Sequence, residues 1–190
     1  IEIDLDDEVL GVGMPCGGKM EVYVEPFLPQ PELMLVGQGR IAELVAELGR
    51  LLHFRVTVNS PGATREDFPF ADQLITDDTD YQKINPGLNS YVIVLTQHKG
   101  DQQVIQAALR GTPRYIGLVA SAKRSRLVVE YLKEGGMDAD ALRQVLRAPC
   151  GLDLGGRTPE EIALSIITEV VKLRHERTGL SMMEVKQCSI

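Results

Sequence analysis

The residues best suited to chemistry in this chain fall into four short runs. The first is Val36-Gly37-Gln38-Gly39-Arg40-Ile41-Ala42, a G-x-G-x-x-A turn between an apolar run and a helical period. In such a turn the first glycine permits a tight bend and the second lets backbone approach a phosphate. The final small residue lets the helix pack close. The functional reading is an anion or nucleotide site at Gly37, Gly39 and Arg40; the alternative is a purely structural turn. The second run is Thr96-Gln97-His98-Lys99-Gly100-Asp101. His98 and Asp101, three apart, suit holding a ligand or moving a proton. The competing reading makes Asp101 a carboxylate favoured at a helix start and His98 a solvated side chain.

The third run, Ala120-Ser121-Ala122-Lys123-Arg124-Ser125-Arg126, puts three cations at the positive end of a helix. Each is misplaced by roughly 0.3–1 kcal/mol against the helix dipole. An anion held by Ser121 and the free amides, with Lys123 and Arg124 beside it, removes that conflict. A solvated basic face is the alternative. The fourth group is the cysteines. Cys16 sits in Pro15-Cys16-Gly17-Gly18, and Cys150 lies in a glycine-bracketed loop from Ala148 to Gly156. Each is a candidate for catalysis or for packing. With Cys188 they make an odd, scattered set, so no disulfide framework is indicated. No C-x-x-C pair, H-E-x-x-H or serine-nucleophile pattern is present.

A dinucleotide site usually carries an acid at the end of its second strand, where it binds a ribose hydroxyl. Here that place falls at Asn59-Ser60. The missing carboxylate argues against ordinary NAD use, and Arg40 suits an extra phosphate.

Positioning these runs requires alternating strands and helices. Leu33 to Val36, Phe54 to Val58, Tyr91 to Leu95 and Tyr115 to Val119 read as buried strands, with a short one at Gln73 to Thr76. Helices are expected from about Arg40 to Leu52, Asp101 to Leu109, Ser121 to Lys133 and Asp138 to Leu146. On the first of these, Ile41, Leu44, Val45, Leu48 and Leu52 form the apolar stripe. A last long helix opens on Thr158-Pro159-Glu160-Glu161, with a cap, a first-turn proline and a capping box. The pattern predicts an α/β fold, a Rossmann-like parallel sheet with helices on both faces. It spans 31–178, follows a β remnant and linker at 1–30, and precedes a tail at 179–190. Lys19 to Glu25 alternates as a half-exposed strand, and Pro26, Pro29 and Pro31 mark the linker. The start at Ile1 is read as the tail of a truncated N-terminal domain.

Asp and Glu total 27 against 20 Lys and Arg, a net charge of −7. That balance excludes the basic surface of a general nucleic-acid or anionic-membrane binder. No apolar run approaches the ~18 residues of a membrane span, and no signal peptide opens the chain. A cytoplasmic protein with free thiols is the expectation.

Several of these residues also carry a family resemblance. Pro15-Cys16-Gly17-Gly18 with Glu21-Val22 and Glu25-Pro26 resembles the Cys-Gly-Gly…Glu-Pro junction of the XdhC/CoxI family. These are maturation factors of xanthine dehydrogenase and carbon monoxide dehydrogenase. Arg114-Tyr115-Ile116-Gly117-Leu118-Val119 with Ser121 and Lys123-Arg124 is similar to its Tyr-Ile-Gly segment. Thr96-Gln97 and Gly100-Asp101 resemble the middle loop of the carbon monoxide dehydrogenase branch. Ala148-Pro149 to Gly155, with Thr158 to Ala163 and Ser165-Ile166, resembles the C-terminal signature. The resemblance implies binding of the molybdenum cofactor, as molybdopterin or its dinucleotide. It implies protection of that cofactor while a cysteine desulfurase sulfurates it, and delivery to a molybdenum hydroxylase apoenzyme. Gly37, Gly39, Arg40, Ser121, Lys123 and Arg124 are then expected to hold the anionic tail, with Cys16 or Cys150 at the metal or the sulfur. A homodimer is a further expectation. The rival functions are an NAD(P)-dependent oxidoreductase and a docking module without ligand.

Overall fold

The computed structural model describes residues 2–4, 19–25, 29–97 and 100–186. Cys16, His98 and Cys188 lie outside them. β1 (Glu2–Asp4) and β2 (Lys19–Glu21) form an antiparallel ladder of three residue pairs. The alternation predicted a strand to Glu25, but residues 22–25 continue without regular structure.

The main sheet has six parallel strands. In chain order these are β3 (Glu32–Gly37), β4 (Arg55–Asn59), β5 (Gln73–Ile75), β6 (Ser90–Leu95), β7 (Tyr115–Leu118) and β8 (Leu146–Arg147). Their order across the sheet is β5-β4-β3-β6-β7-β8. The chain therefore works outward from β3, returns to pair β6 with β3, and works outward the other way. This is the doubly wound Rossmann arrangement, and its reversal lies between β3 and β6.

The continuous apolar runs are explained by helices on both faces. On one face Leu33, Leu35, Tyr91 and Ile93 pack with α1 (Arg40–Leu51) and α5 (Pro159–Arg174). On the other, Met34, Val36, Val92 and Val94 pack with α2 (Asp101–Ala108), α3 (Ala122–Glu134) and α4 (Ala139–Val145). The expected stripe on α1 is displaced. Its buried centre is Ala42, Val45, Ala46 and Gly49, with Ile41, Leu44, Leu48 and Leu52 flanking. Small residues there let the helix lie close: a Cβ on Gly49 would overlap the Leu33 side chain.

Helix boundaries also differ from expectation, and Asp138, read as the first residue of its helix, stands outside α4 as its cap. Ser121 stands outside α3 as its cap, its Oγ accepting from Arg124 N at 3.2 Å. Leu146 leaves the helical region to pair beside β7, so α4 ends at Val145. The capping box of α5 forms as read, with Thr158 accepting from Glu161 N and the Glu161 carboxylate accepting from Thr158 N. A four-residue helix, α6 (Met182–Val185), follows in the tail.

Candidate functional site at the strand-order reversal

Gly37 and Leu95 are register partners at the C-terminal ends of β3 and β6. Gly37 has φ +125°, and a Cβ there would collide with the Leu95 carbonyl, so only glycine fits. Two residues on, Gly39 (φ +103°) is the N-cap of α1 and contributes no side-chain cap. The first backbone bond of α1 runs from Glu43 N to Gly39 O at 3.1 Å. The three amides ahead of it have no acceptor within the helix and carry the positive end of its dipole.

A crevice follows this turn along the sheet edge. Three hollows of about 240, 380 and 190 Å³ meet there, and Gln38 and Gln97 border all of them. The first lies toward Asn59, Ser60 and Tyr81. The second is lined by Arg40, Ile41, Leu95, Val119 and Pro159. The third reaches Gly62, Asp67 and Phe68. The two glutamines are the residues sequence reasoning passed over. They occupied variable places in recognised loops, and only their position as shared walls distinguishes them. Each offers both donor and acceptor without charge.

Arg40 borders the crevice but is 58% exposed and lies between Glu43 (3.3 Å) and Glu160 (3.5 Å). The second and third runs are brought together by an ion pair. Asp101, almost fully buried at the start of α2, accepts from the Thr96 hydroxyl and from Arg124 Nε at 3.0 Å. The end of β6 and the starts of α2 and α3 are thereby tied. One cation of the basic run is thus matched by a protein carboxylate, and the Ser121 hydroxyl serves its own helix. Lys123 is exposed. Val119, rather than Ser121, Lys123 or Arg124, borders the hollows beside the glycine turn.

Cys150 lies elsewhere, packed against the α1–α5 face of the core. Its amide donates to Leu118 O at 3.0 Å. Nearby, Glu169 Oε2 accepts from the Tyr115 hydroxyl at 2.6 Å and from Gly151 N at 2.8 Å. Burial first, and then the Glu169 charge, push the Cys150 thiol up to about 12. Burial also raises the Tyr115 phenol. Both effects favour the protonated thiol at neutral pH over the thiolate that a nucleophile needs. Among the described residues, no group of three or more His, Cys, Asp or Glu side chains is arranged to hold a metal ion. Nor is any described helix long and apolar enough to cross a membrane.

The family model of the XdhC Rossmann domain matches residues 33–170, which span β3 through most of α5. The chain belongs to the XdhC family. A relative in Bacillus subtilis (strain 168), named as a probable subunit of xanthine dehydrogenase, is 29% identical over 80% of this chain and 46% of its own length. The YqeB protein of Escherichia coli (strain K12) is 27% identical over 91% of this chain and 33% of its own. A crystal structure described as a xanthine dehydrogenase from Bacillus halodurans superposes with a TM-score of 0.67 at 26% identity. It covers 83% of this chain and 46% of that one. This XdhC domain thus spans between a third and about half of the length of the relatives it matches.

Proposed function

We propose that this XdhC domain belongs to a maturation factor that holds the molybdenum cofactor by its anionic tail and passes it to a molybdenum hydroxylase. The observation that carries the reading is the start of α1. Its uncapped amides open at the strand-order reversal beside two glycines in left-handed backbone, Gly37 and Gly39. Family membership and relatives named for xanthine dehydrogenase support the choice of client.

The residues present suit such a guest. The amides ahead of Glu43 would take a phosphate, with Arg40 adding charge from the rim. Gln38 and Gln97 would pair with the amide edges of a pterin, and the apolar wall of Ile41, Leu95 and Val119 would cover its ring. The bound group supplies the redox centre of the client enzyme; the domain supplies shape, hydrogen bonds and shelter. Sulfur delivery is assigned to a cysteine desulfurase partner, and Cys16 and Cys150 are this chain's thiol candidates, with burial favouring the protonated form of Cys150.

The test is retention of pterin by protein purified from a cofactor-replete host, read by fluorescence after oxidation. Gln38→Glu with Gln97→Glu places two negative charges in the crevice without touching a fold-bearing contact. Retention is expected to fall at least tenfold, the effect of about 1.4 kcal/mol of repulsion. Unchanged retention rejects the site. Lys123→Glu, on the exposed start of α3, is expected to matter less than this pair. The strand order itself favours a second reading, a nicotinamide dinucleotide as guest. Saturable binding of NAD or NADP at micromolar concentration, with no pterin retained, selects it.

A further inference from the structure

The end of the sheet opposite the glycine turn carries a hollow of its own, of about 440 Å³. It is bordered by Pro29, Pro31, Asn89, Arg114, Arg174 and His175. These residues stand where β3, β6 and β7 begin and where α5 ends. Helix α5 has 16 residues, so its two ends lie roughly 24 Å apart. Pro159 borders the crevice at one end, and Arg174 borders this hollow at the other. In a chain of net charge −7, the border holds two arginines and no acid.

Neither guanidinium is used up. Arg174 is partly buried and lies over the Phe54 ring, its Cζ 5.2 Å from the centroid. Among the described residues that guanidinium makes no hydrogen bond or ion pair. Arg114 donates through Nη2, to Glu176 Oε1 at 2.7 Å and more weakly to Leu173 O at 3.4 Å. Its Nε and Nη1 have no partner among the described residues. Close by, the Tyr91 hydroxyl is buried without a partner, which few buried polar atoms are. The Tyr91 ring meets the same Phe54 ring edge-on at 5.7 Å. Burial raises the Tyr91 phenol, and the charges of Arg114 and Arg174 oppose that rise.

The one carboxylate on Arg114 shows what such a border takes. Glu176 is 81% exposed and has φ +54°. Its backbone closes α5, with Glu176 N donating to Leu173 O and Arg177 N to Lys172 O. Glycine is the residue that suits this left-handed place. A glutamate is strained there, and what it adds is a carboxylate set on Arg114. An ion pair so exposed contributes little and is readily displaced.

We propose that this hollow binds an organic carboxylate, held by Arg114 and Arg174, with Glu176 as the resident group that it displaces. Arginine forks match carboxylates with paired parallel bonds. Pro29 and Pro31 offer apolar surface to the carbon body. The site is separate from the α1 turn and does not rest on the reading of that turn.

The experiment is an NMR titration of the nitrogen-labelled full chain, read at the arginine Nε–H resonances. Benzoate is the probe. Benzamide supplies the same shape without charge, and inorganic phosphate supplies charge without a carbon body. Benzoate should shift the Arg114 and Arg174 resonances saturably, and benzamide should leave them in place. Phosphate should bind about fivefold more weakly than benzoate. Glu176→Gly removes the resident carboxylate where the backbone favours glycine, so benzoate affinity should rise about threefold. Arg174→Gln should lower it about tenfold, the effect of one charged hydrogen bond. The wild-type comparison of the three probes stands if a variant misfolds. No saturable shift with benzoate, or an equal response to benzamide, overturns the proposal. Equal affinity for phosphate overturns the assignment to a carboxylate, and unchanged affinity in Glu176→Gly overturns the displacement.

Discussion

Replacing Arg124 by Met separates two roles for the basic run at the start of α3. Asp101 is 3% exposed and Arg124 27%, with Nε and Oδ2 at 3.0 Å. Removing one partner of a fully buried pair costs about 3–5 kcal/mol. Here three features reduce the loss: the Thr96 hydroxyl still donates to the carboxylate, the α2 N-terminus still favours negative charge, and the exposed part of Arg124 admits water. Arg124→Met should therefore cost about 2–3 kcal/mol, read as the loss of unfolding free energy in urea. At 2–4 °C per kcal/mol for a chain of this size, Tm should fall by roughly 4–12 °C. Asp101→Asn should cost a similar amount, because it turns an amide donor or a neutral oxygen toward Arg124. The double variant should be more stable than the sum of the singles by about 1 kcal/mol or more, the signature of direct coupling. A cost below about 0.5 kcal/mol for Arg124→Met, with pterin or pyrophosphate binding abolished, would refute the structural role. It would restore Arg124 as an anion ligand.

Three further outcomes follow from the region around Tyr115. The Cys150 thiol, raised from the ordinary 9.0 to about 12, keeps its proton in the folded protein after the unfolded chain has lost it. Stability should thus decline as pH rises from about 9 toward about 12, and Cys150→Ser should flatten that slope; an unchanged slope contradicts the assignment. In the native protein the same thiol should react with a thiol reagent far more slowly at pH 8 than a free cysteine does. Gly117→Ala puts a Cβ 2.6 Å from the Tyr115 hydroxyl, whose ring lies along β7 on its way to Glu169. That overlap should cost about 1–3 kcal/mol in urea unfolding. An unaltered midpoint would mean that Tyr115 is free to move.

The sheet was legible because helices cover both its faces. Leu33 to Val36 and Tyr91 to Leu95 are apolar without alternation, which only a doubly covered strand requires. Helix α5 announced itself through Thr158, Pro159 and Glu161, whose chemistry is local to one turn. What escaped was either too short or too distant in sequence. β8 has two residues, a single period of strand alternation and too few for a pattern to repeat. The centre of α1 was misplaced because large side chains dominate a hydrophobic stripe, whereas close approach to the sheet selects the small ones, Ala42, Ala46 and Gly49. In the site, the turn at Gly37 and Gly39 was readable from backbone needs alone. The pairing of Asp101 with Arg124, 23 residues apart, depends on two loops meeting. The bond from Asn59 to Asp78 likewise needs the 59–84 segment to fold back on β4.

The close seating of Gly37 on Leu95 sets how the crevice can breathe. No methyl group fits between the two strand ends, and their ladder continues to this last pair. The tips of β3 and β6 must therefore travel together, like two planks joined at the end. Widening the cleft falls to the opposite bank, the turn-rich stretch from Ser60 to Ile84, which holds only the three-residue β5 in its path. A cargo too large for the resting cleft would have to enter by displacing that bank.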